Sequence, residues 1–460
     1  MGSGQIALVG TDRLPLTRRS RHRSGRFSSY SLLKKGIWAY FLLLLLEGAL
    51  RKWFLPGLAT PLLIIRDPLA LWLVLACWYK GLLPSNAYML GLVLIGFLSL
   101  YTGFFLGHGN FFVALYGARV LFLNIPLIFV IGSLFDRNDV IALGRVTVAI
   151  SIPMALLIAV QFYSPQTAWV NRGVGGDLEG AGFGGALGYF RPPGTFSFTN
   201  GTSLFFSFAA CFIFYFWLNL KYVNRVVLFL ATVGLFAAIP LSISRGLFFQ
   251  VITTILFAVI AISHKPKYIG RMLVAGICGI LLIALLSKSN YFSTSVEAFT
   301  ARFEHANEVE GGLKGVLGDR FLGGMLSALT QSSREPFFGY GIGLGTNVGL
   351  MLMPDMEVTL NLDQEWARLV SELGPLLGVA LVLMRLGLSI SLAMKSYHRL
   401  IRGDMLPWML LSFGFLTIAQ AQWAQPTSLG FCTIIGGLLI ASFRIPKKKV
   451  RTTPQKLFNF

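Results

Sequence analysis

Apolar stretches of about 20 residues recur along nearly the whole chain, and as a helix each could cross a hydrocarbon core of about 30 Å. Of the 460 residues, 55% are hydrophobic and 13% are charged, whereas ordinary soluble domains carry about 25% charged residues. Lipid offers the backbone no hydrogen-bond partner, so long apolar stretches have to be helical. The sequence predicts an all-α polytopic membrane protein with about 12 transmembrane helices. We expect them at residues 36–55, 61–79, 87–106, 111–133, 139–162, 201–219, 225–243, 245–263, 270–288, 366–394, 405–421 and 427–443.

Lysine and arginine occur in every second connection between these spans. Those connections carry Lys80, Arg137, Lys221, Arg225, Lys265, Lys267, Arg271, Lys395, Arg399 and Arg402. Cytoplasmic loops are enriched in these residues, so the pattern predicts the orientation of the chain. The basic segments 1–35 and 444–460 are then both cytoplasmic tails. The net charge of +20 is divided among many loops, which argues against nucleic acid as a partner.

Cysteine and histidine give no sign of a disulfide framework or a metal site. The four cysteines, Cys77, Cys211, Cys278 and Cys432, lie within apolar spans and form no CxxC pair. The five histidines are scattered along the chain. Zinc sites in proteins use closely spaced cysteine and histidine ligands. We therefore expect no metal and no cofactor.

Two long segments fall on the predicted outer side of the membrane. One, residues 163–200, is glycine-rich, and the other, residues 289–364, is predicted to be a large periplasmic loop. Loops of this length are usually functional or disordered. Helical spacing of apolar residues predicts a short helix on the membrane face around Leu313–Leu329. The chain thus divides into a basic tail 1–35, helices 1–9 in 36–288, the loop 289–364, helices 10–12 in 365–443 and a basic tail 444–460.

Six arginines depart from the charge rule because they lie at or near the predicted outer face. They are Arg51, Arg66, Arg119, Arg191, Arg245 and Arg368. A charge near the bilayer centre costs about 3 kcal/mol or more, so such residues usually have a function. Positive charge gathered at one face predicts an anionic ligand, and phosphate is the obvious candidate because guanidinium groups bind it with two hydrogen bonds.

Each of these arginines also has a structural interpretation. Arg191, in the turn RPPGTFSFTN, and Arg245, in the short connection SRG, are placed to reach lipid headgroups from the interface. Others are spaced to share a helix face and pair, namely Glu47 with Arg51, and Arg368 with Glu365 and Glu372. Arg66 and Asp67 are adjacent in the sequence and form a further candidate ion pair. A polar cavity open to the outer face would explain why nearly all of them lie on one side.

A glycine-rich motif, GYGIGLG at Gly339–Gly345, lies within the second outer segment. It contains GxGxG, but no βαβ unit surrounds it, so it is a weak nucleotide motif. We expect a flexible return loop here.

Four motifs follow one another along the chain. They are RPPGTFSFTN before the sixth span, SRG in a short outer turn, EPFFGYGIG in the long outer segment and SELGPLLG at the start of the tenth span. This order resembles the O-antigen ligase and O-antigen polymerase superfamily, in detail over residues 190–380 and in span layout over the whole chain. The resemblance implies a GT-C-type membrane glycosyltransferase, metal-independent and inverting. It would act on the periplasmic face of the bacterial inner membrane, with an undecaprenyl-pyrophosphate-linked oligosaccharide as donor.

The resemblance also implies roles for individual residues. Arg191 and Arg245 match the arginines that bind the donor phosphates, and Arg320, in GDRFLGGMLSAL, matches a third. Arg119, Arg368 and Glu372 are expected to line the same substrate cavity, with Glu372 orienting Arg368.

The stretch NLDQEWARLVSELG departs from the ligase pattern. Ligases carry a histidine followed by an asparagine just before this span, whereas this chain has Asp363, Gln364 and Glu365. The departure favours the polymerase branch of the superfamily. An acceptor hydroxyl needs a group to orient it and to take its proton, and we expect Glu365 to be this base, with Asp363 as the second choice.

Three functions stay open at this point. The first is a polymerase of O-antigen, capsule or exopolysaccharide repeat units, and the second is a ligase that transfers finished glycan to lipid A core or another acceptor. The third is a flippase or transporter of lipid-linked oligosaccharide, although the chain lacks the two matched halves common in transporters. Membrane lipid, a flippase and a chain-length regulator are the expected partners.

Overall fold

The computed structural model of the protein describes residues 18–181, 183–264, 270, 290–310, 330, 335–353 and 364–444, with the backbone alone for 18–29, 290–292 and 306–310. Four predicted features lie outside the described residues, namely nearly all of the ninth span, the helix around Leu313–Leu329, Arg320 and Asp363.

Helices make up most of the described chain. They are α1 Arg18–Ala49, α2 Ala59–Leu62, α3 Arg66–Tyr79, α4 Ala87–Phe105, α5 Phe111–Arg119, α6 Ile125–Leu134, α7 Arg137–Tyr163, α8 Thr199–Leu218, α9 Arg225–Leu241, α10 Arg245–Ser263, α11 Asn290–Glu310, α12 Asn347–Leu352, α13 Glu365–Ile401, α14 Leu406–Gln420 and α15 Pro426–Ser442. Two π-helical turns, Leu50–Phe54 and Val120–Asn124, follow α1 and α5. A two-stranded antiparallel ribbon, β1 Gly184–Ala186 with β2 Tyr189–Phe190, lies in the glycine-rich outer segment.

Over the part of the chain that the structure describes, the protein is an all-α membrane protein apart from this small ribbon. Seven helical stretches in that part are long and apolar enough to cross a membrane, and three shorter apolar helices accompany them. Every predicted span that lies in the described residues is helical over most of its length. The total of 12 spans and the GT-C architecture stay predictions.

Polar residues in front of the helices explain where several of them begin. Asn86, Asn110, Asn224 and Ser244 each accept a hydrogen bond from a backbone N–H in the first turn of the helix that follows. Asp136 does the same for α7 and forms a capping box with Asp139. The first N–H groups of a helix have no partner within the helix, so these side chains fix its start.

Contacts between helix ends separate the two predicted faces of the bundle. The ends predicted to be cytoplasmic are joined by Lys34–Asp139, Arg137–Asp404 and Arg399 with the carbonyl of Phe443. The ends predicted to be periplasmic are joined by Arg51–Ser197, Asn200–Gln425 and Arg66 with the carbonyl of Pro426. Both sets agree with the alternation of the spans, while the choice of the periplasmic face stays a prediction from the charge pattern.

Helix α8 lies at the centre of the bundle and begins at the end of the RPPGTFSFTN turn. It packs against α7, α9, α10, α14 and α15. Phe208 is fully buried, with its ring centroid 5.9 Å from those of Phe413 and Phe431. Aromatic pairs of this kind add about 1 kcal/mol beyond the area they bury. The N-terminus of α8, and the turn before it, are therefore held by the core.

Helix α13 is not the single continuous helix predicted at 366–394. Gly374, at φ 78° and ψ 169°, breaks it immediately before Pro375. In a straight helix Glu365 and Arg385 would be about 30 Å apart, yet Glu365 Oε1 lies 2.8 Å from Arg385 Nη1. The chain thus reverses at Gly374, and Glu365–Leu373 folds back along the residues that follow. Two sequence signals, the glycine and the proline, mark this reversal.

The glycine motif Gly339–Gly345 packs into this reversal. Pro375 has no N–H, so it leaves the carbonyl of Ser371 without its helical donor, and the N–H of Tyr340 supplies one at 2.9 Å. The N–H of Gly341 likewise donates to the carbonyl of Glu372 at 2.9 Å. These bonds fix the start of the loop that the sequence predicted to be flexible.

Replacing Gly374 with alanine should destabilise the protein. A Cβ there would collide with the carbonyl oxygen of Phe337, and the backbone region that Gly374 occupies costs other residues about 1–3 kcal/mol. We expect a lower melting temperature of the detergent-solubilised protein. Gly57→Ala is the matched control, since a Cβ at Gly57 would meet no atom within 4 Å. Equal melting temperatures for the two variants would contradict the reversal.

Candidate functional site

Among the arginines predicted at the outer face, Arg51, Arg66, Arg119 and Arg368 pair with carboxylates in the described structure. Glu47 contacts Arg51 at 3.7 Å, as the sequence predicted, and Arg66 at 2.9 Å, so Arg66 does not pair with its neighbour Asp67. Arg119, expected to bind substrate, pairs with Asp67, and its guanidinium lies 3.8 Å from the ring centroid of Tyr116. Arg368 is the fourth. Buried ion pairs of this kind need no ligand to neutralise them.

Arg368 belongs to a buried cluster of two acids and two arginines. It contacts Glu365 at 3.0 Å and Glu372 at 2.7 Å, which confirms the predicted pairing on one helix face. Arg385, which the sequence reasoning did not single out, is 0% exposed and completes the cluster. A lone arginine inside an apolar span is the signal that could have identified it.

Glu365, predicted to be the catalytic base, has both carboxylate oxygens engaged. Oε2 accepts from the guanidinium of Arg368. Oε1 accepts from Arg385 Nη1 at 2.8 Å and from the backbone N–H of Trp423 at 3.0 Å. The reversal at Gly374 also places Glu365 beside a residue in the middle of α13, and not at the outer entrance where the sequence put it.

Glu372 joins this cluster to the glycine motif. Its carboxylate accepts hydrogen bonds from the N–H groups of Gly343, at 3.0 Å, and Gly345, at 2.7 Å. A small cavity of about 30 Å³ lies beside these groups, lined by Glu372, Arg368 and Trp423 among others. This volume suits a water molecule. The Glu365–Arg368–Arg385–Glu372 cluster therefore balances its own charges and ties the glycine motif to the tenth-span region.

Arg191 differs from the acid-paired arginines. Its Nε is buried and has no hydrogen-bond partner among the described residues. Burial lowers the pKa of Arg191, and the positive charges of Arg302 and Arg245 lower it further. An unpartnered buried guanidinium nitrogen costs about 1–3 kcal/mol or more. A bound anion would remove this cost.

The turn that carries Arg191 is held in place by hydrogen bonds to several other segments. The Arg191 N–H donates to the carbonyl of Phe183 at 2.9 Å. Gly194 is held by Gln161, whose Oε1 accepts from the Gly194 N–H at 2.7 Å, and by Lys52, which donates to its carbonyl at 2.7 Å. Lys52 lies in the π-helical turn after α1. These hydrogen bonds fix the position of the Arg191 backbone, so the turn is preorganised.

Arg245 is the first residue of α10, so it stands at the positive end of the helix dipole. Ser244 caps this helix, and its hydroxyl also bonds that of Ser203 on α8 at 2.8 Å. Ile243, directly before the cap, has φ 46°. A β-branched residue in this region is strained, and such strain collects at functional sites.

Arg302 is the residue of this site that the sequence reasoning missed. It lies on α11, where Ser295 and Ala298 are buried, and the spacing of three and four residues puts all three on one helix face. Phe299 and Phe303 pack against Phe248 of α10, with ring centroids 5.9 and 5.6 Å away. Residues 290–310 were expected to be loop, so no helix face was considered there.

Arg245 and Arg302 both lie near enough to Arg191 for their positive charges to lower its pKa. We call these three residues the arginine cluster. Arg119 and Arg368, expected in the same cavity, have their charges balanced in separate ion pairs. The charges that act on the Arg191 pKa come from its two arginine neighbours.

Comparisons with known proteins add no assignment to this geometry. No family model, curated protein or solved structure matches the chain. Evidence on function therefore comes from the residues of the site and from the order of the four motifs.

His108 lies between α4 and α5 and hydrogen-bonds to the glycine motif. Its Nδ1 accepts from the N–H of Asn110 at 3.0 Å, so its Nε2 carries the proton that is donated to the Ile342 carbonyl at 3.1 Å. This arrangement requires the neutral ring. Burial lowers the pKa of His108, against smaller raising effects of Ile342 and Glu372.

The protein should therefore lose stability as His108 becomes protonated. A pKa lowered by folding favours the fold above the ordinary histidine value of about 6.5, and this contribution is lost as pH falls below it. We expect the melting temperature to fall more steeply between about pH 7 and 5 for the wild type than for His108→Gln. His398→Gln, at an exposed position near the predicted cytoplasmic end, is the control and should follow the wild type. Identical pH profiles of the wild type and His108→Gln would contradict the assignment.

Proposed function

We propose that this chain is a membrane polysaccharide polymerase. It joins undecaprenyl-pyrophosphate-linked oligosaccharide repeat units into a growing glycan on the periplasmic face of the inner membrane. Arg191, Arg245 and Arg302 bind the pyrophosphate of the donor. The observation that carries this proposal is the buried Nε of Arg191, which has no hydrogen-bond partner among the described residues, with the positive charges of Arg245 and Arg302 near enough to lower the Arg191 pKa.

The charge of the cluster suits a pyrophosphate. The positive charges of Arg245 and Arg302 act on the buried guanidinium of Arg191, and a ligand with two phosphates offers several acceptor oxygens in the geometry that guanidinium prefers. Arg191 and Arg245 come from a fastened turn and a helix start, so little ordering is needed when the ligand binds. This preorganisation favours a bound diphosphate over a transient contact with headgroups.

The same arginines can assist the reaction. Breaking the bond between sugar and pyrophosphate develops negative charge on the leaving oxygen, and a positioned donor stabilises such charge by about 3 kcal/mol. No step in this scheme needs a metal ion, in keeping with the expectation from the sequence.

Asp363 replaces Glu365 as the preferred candidate for the catalytic base. Glu365 would have to give up bonds to Arg368, Arg385 or Trp423 before it could accept a proton. Asp363, two residues earlier in the chain, becomes the first candidate to take the proton of the acceptor hydroxyl. Glu365 is then a positioning residue, because its ion pairs with Arg368 and Arg385 hold the start of α13 in place.

An assay with purified protein and lipid-linked oligosaccharide alone tests the function. A ladder of longer lipid-linked products supports the polymerase. Transfer only after a second acceptor is added would assign the chain to the ligase alternative. Movement of the lipid-linked oligosaccharide between leaflets of a vesicle, without any product, would contradict the proposal and favour the flippase.

A further inference from the structure

Three carboxamide side chains form a row at the predicted outer end of the bundle. Asn200 donates to Gln425, and Gln425 donates to Gln422. Asn200 also reaches the hydroxyl of Ser428 at 3.4 Å. All three amides are half-buried and so are partly open to the surface. We call Asn200, Gln422 and Gln425 the amide row.

The amide row lies next to the arginine cluster. Asn200 and Ser203 are three residues apart on α8 and therefore share a face, about 5 Å from each other. Ser203 bonds Ser244, which directly precedes Arg245. The row is thus about one helical turn from the start of α10. A ligand that binds the arginines through its anionic group and extends toward α15 would therefore contact the amide row.

The chemistry of the row complements that of the cluster. A carboxamide has two donors and two acceptors and carries no charge, so it suits a ligand whose groups both donate and accept. Sugar hydroxyls have this property, whereas phosphate oxygens only accept. A charged region followed by a neutral, hydrogen-bonding region matches a diphosphate that carries a sugar.

The linker between α14 and α15 keeps two of these amides in place. The Trp423 N–H donates to Glu365, and Arg385 donates to the carbonyl of Ala421 at 2.7 Å. The carbonyl of Pro426 accepts from Arg66, also at 2.7 Å. The buried charges thus fix the backbone that carries Gln422 and Gln425, and the amide ends remain at the surface. Arg66 and Arg385 would thus position the amide row without contacting the ligand.

We propose that the amide row binds the sugar attached to the diphosphate, as the glycosyl subsite of the arginine cluster. This inference rests on the proposed function and names where the first sugar residue lies. It assigns specificity for the donor glycan to Asn200 and Gln425, and affinity for the lipid diphosphate to the arginines.

The test compares two probes, undecaprenyl diphosphate without sugar and the lipid-linked oligosaccharide extracted from the cells that make this chain. Binding of each to purified protein is measured for the wild type, Asn200→Ala and Gln425→Ala. We expect the wild type to bind the glycan-bearing lipid more tightly. Either variant should lose about 10-fold of that affinity, since one or two hydrogen bonds are removed, and should bind the sugar-free lipid as the wild type does. Asn138→Ala, an exposed amide at the other end of the bundle, should change neither value.

The remaining outcomes separate the inference from the function it rests on. Equal loss for both probes in Asn200→Ala and Gln425→Ala would make the row a structural support and overturn the inference. So would unchanged binding of both probes, or a wild type that binds the two lipids equally. Failure of the wild type to bind even the sugar-free diphosphate would overturn the proposed function together with the inference. Melting temperatures show which variant is folded, and either folded variant decides the outcome.

Discussion

Replacing Arg191 with alanine should leave folded protein in the membrane and reduce chain extension by about 100-fold or more. Its guanidinium has an unpartnered buried nitrogen in the described structure and lies near Arg245 and Arg302. Removing it therefore breaks no ion pair in the described part of the chain, and it relieves repulsion. We expect an unchanged or slightly higher melting temperature beside the lost activity. The polymerisation assay with lipid-linked oligosaccharide measures the effect.

Two further variants sharpen this expectation. Arg191→Lys keeps the charge but loses the two-pronged geometry, so its activity should lie between those of the alanine variant and the wild type. Arg225→Ala removes the same charge at an exposed position at the start of α9, near the predicted cytoplasmic face, and should be fully active. Wild-type product lengths from Arg191→Ala would show that the arginine cluster does not act on the donor.

Replacing Arg385 with methionine should strongly destabilise the protein, by about 3–5 kcal/mol. The change removes a donor to Glu365 and leaves this acid with less compensation in a buried position. It also removes donors to the carbonyls of Ile418 and Ala421. We expect a large fall in melting temperature and in the amount of protein that can be solubilised. Adding Glu365→Gln should restore part of the loss, because the buried charge is then gone.

A partly exposed ion pair provides the comparison. Lys34 and Asp139 are in contact at 2.5 Å, with side chains 30% and 22% exposed. Lys34→Met should cost about 1 kcal/mol or less, since exposed pairs contribute little. If Arg385→Met melted like Lys34→Met, the buried cluster would not be a stabilising element. If Glu365→Gln in the Arg385→Met background deepened the loss, the charge argument would be wrong.

Much of the fold could be predicted from local patterns. The positions of the described spans follow from apolar length, and several helix starts follow from single residues such as Asn110 and Asp136. The reversal in α13 was missed although Gly374 and Pro375 mark it. The apolar run continues through both residues, and hydropathy alone does not distinguish one long helix from a helical hairpin.

The site was predictable only in part. Arg191 and Arg245 were predicted as phosphate ligands because each lies in a motif at a span boundary, and this role stays a prediction. Glu47 with Arg51 and Arg368 with Glu372 were predicted because residues four apart on a helix meet. Arg385 and Arg302 were missed, since their partners are remote in sequence or belong to a segment expected to be loop. The flexible loop expected at Gly339–Gly345 was corrected for the same reason, because its partners lie on α13 and beside α4.

The sequence by itself determined that this is a helical membrane protein and how its spans alternate between two faces. These properties depend on apolar length and on the charge of short loops, and both are local. Tertiary structure alone decided the ion pairs between residues that are distant in the sequence. These pairs are Arg66 with Glu47, Arg119 with Asp67 and Arg385 with Glu365. Arg191 instead lies near Arg245 and Arg302. Packing of distant segments sets those distances, and charge repulsion or pairing depends on distance.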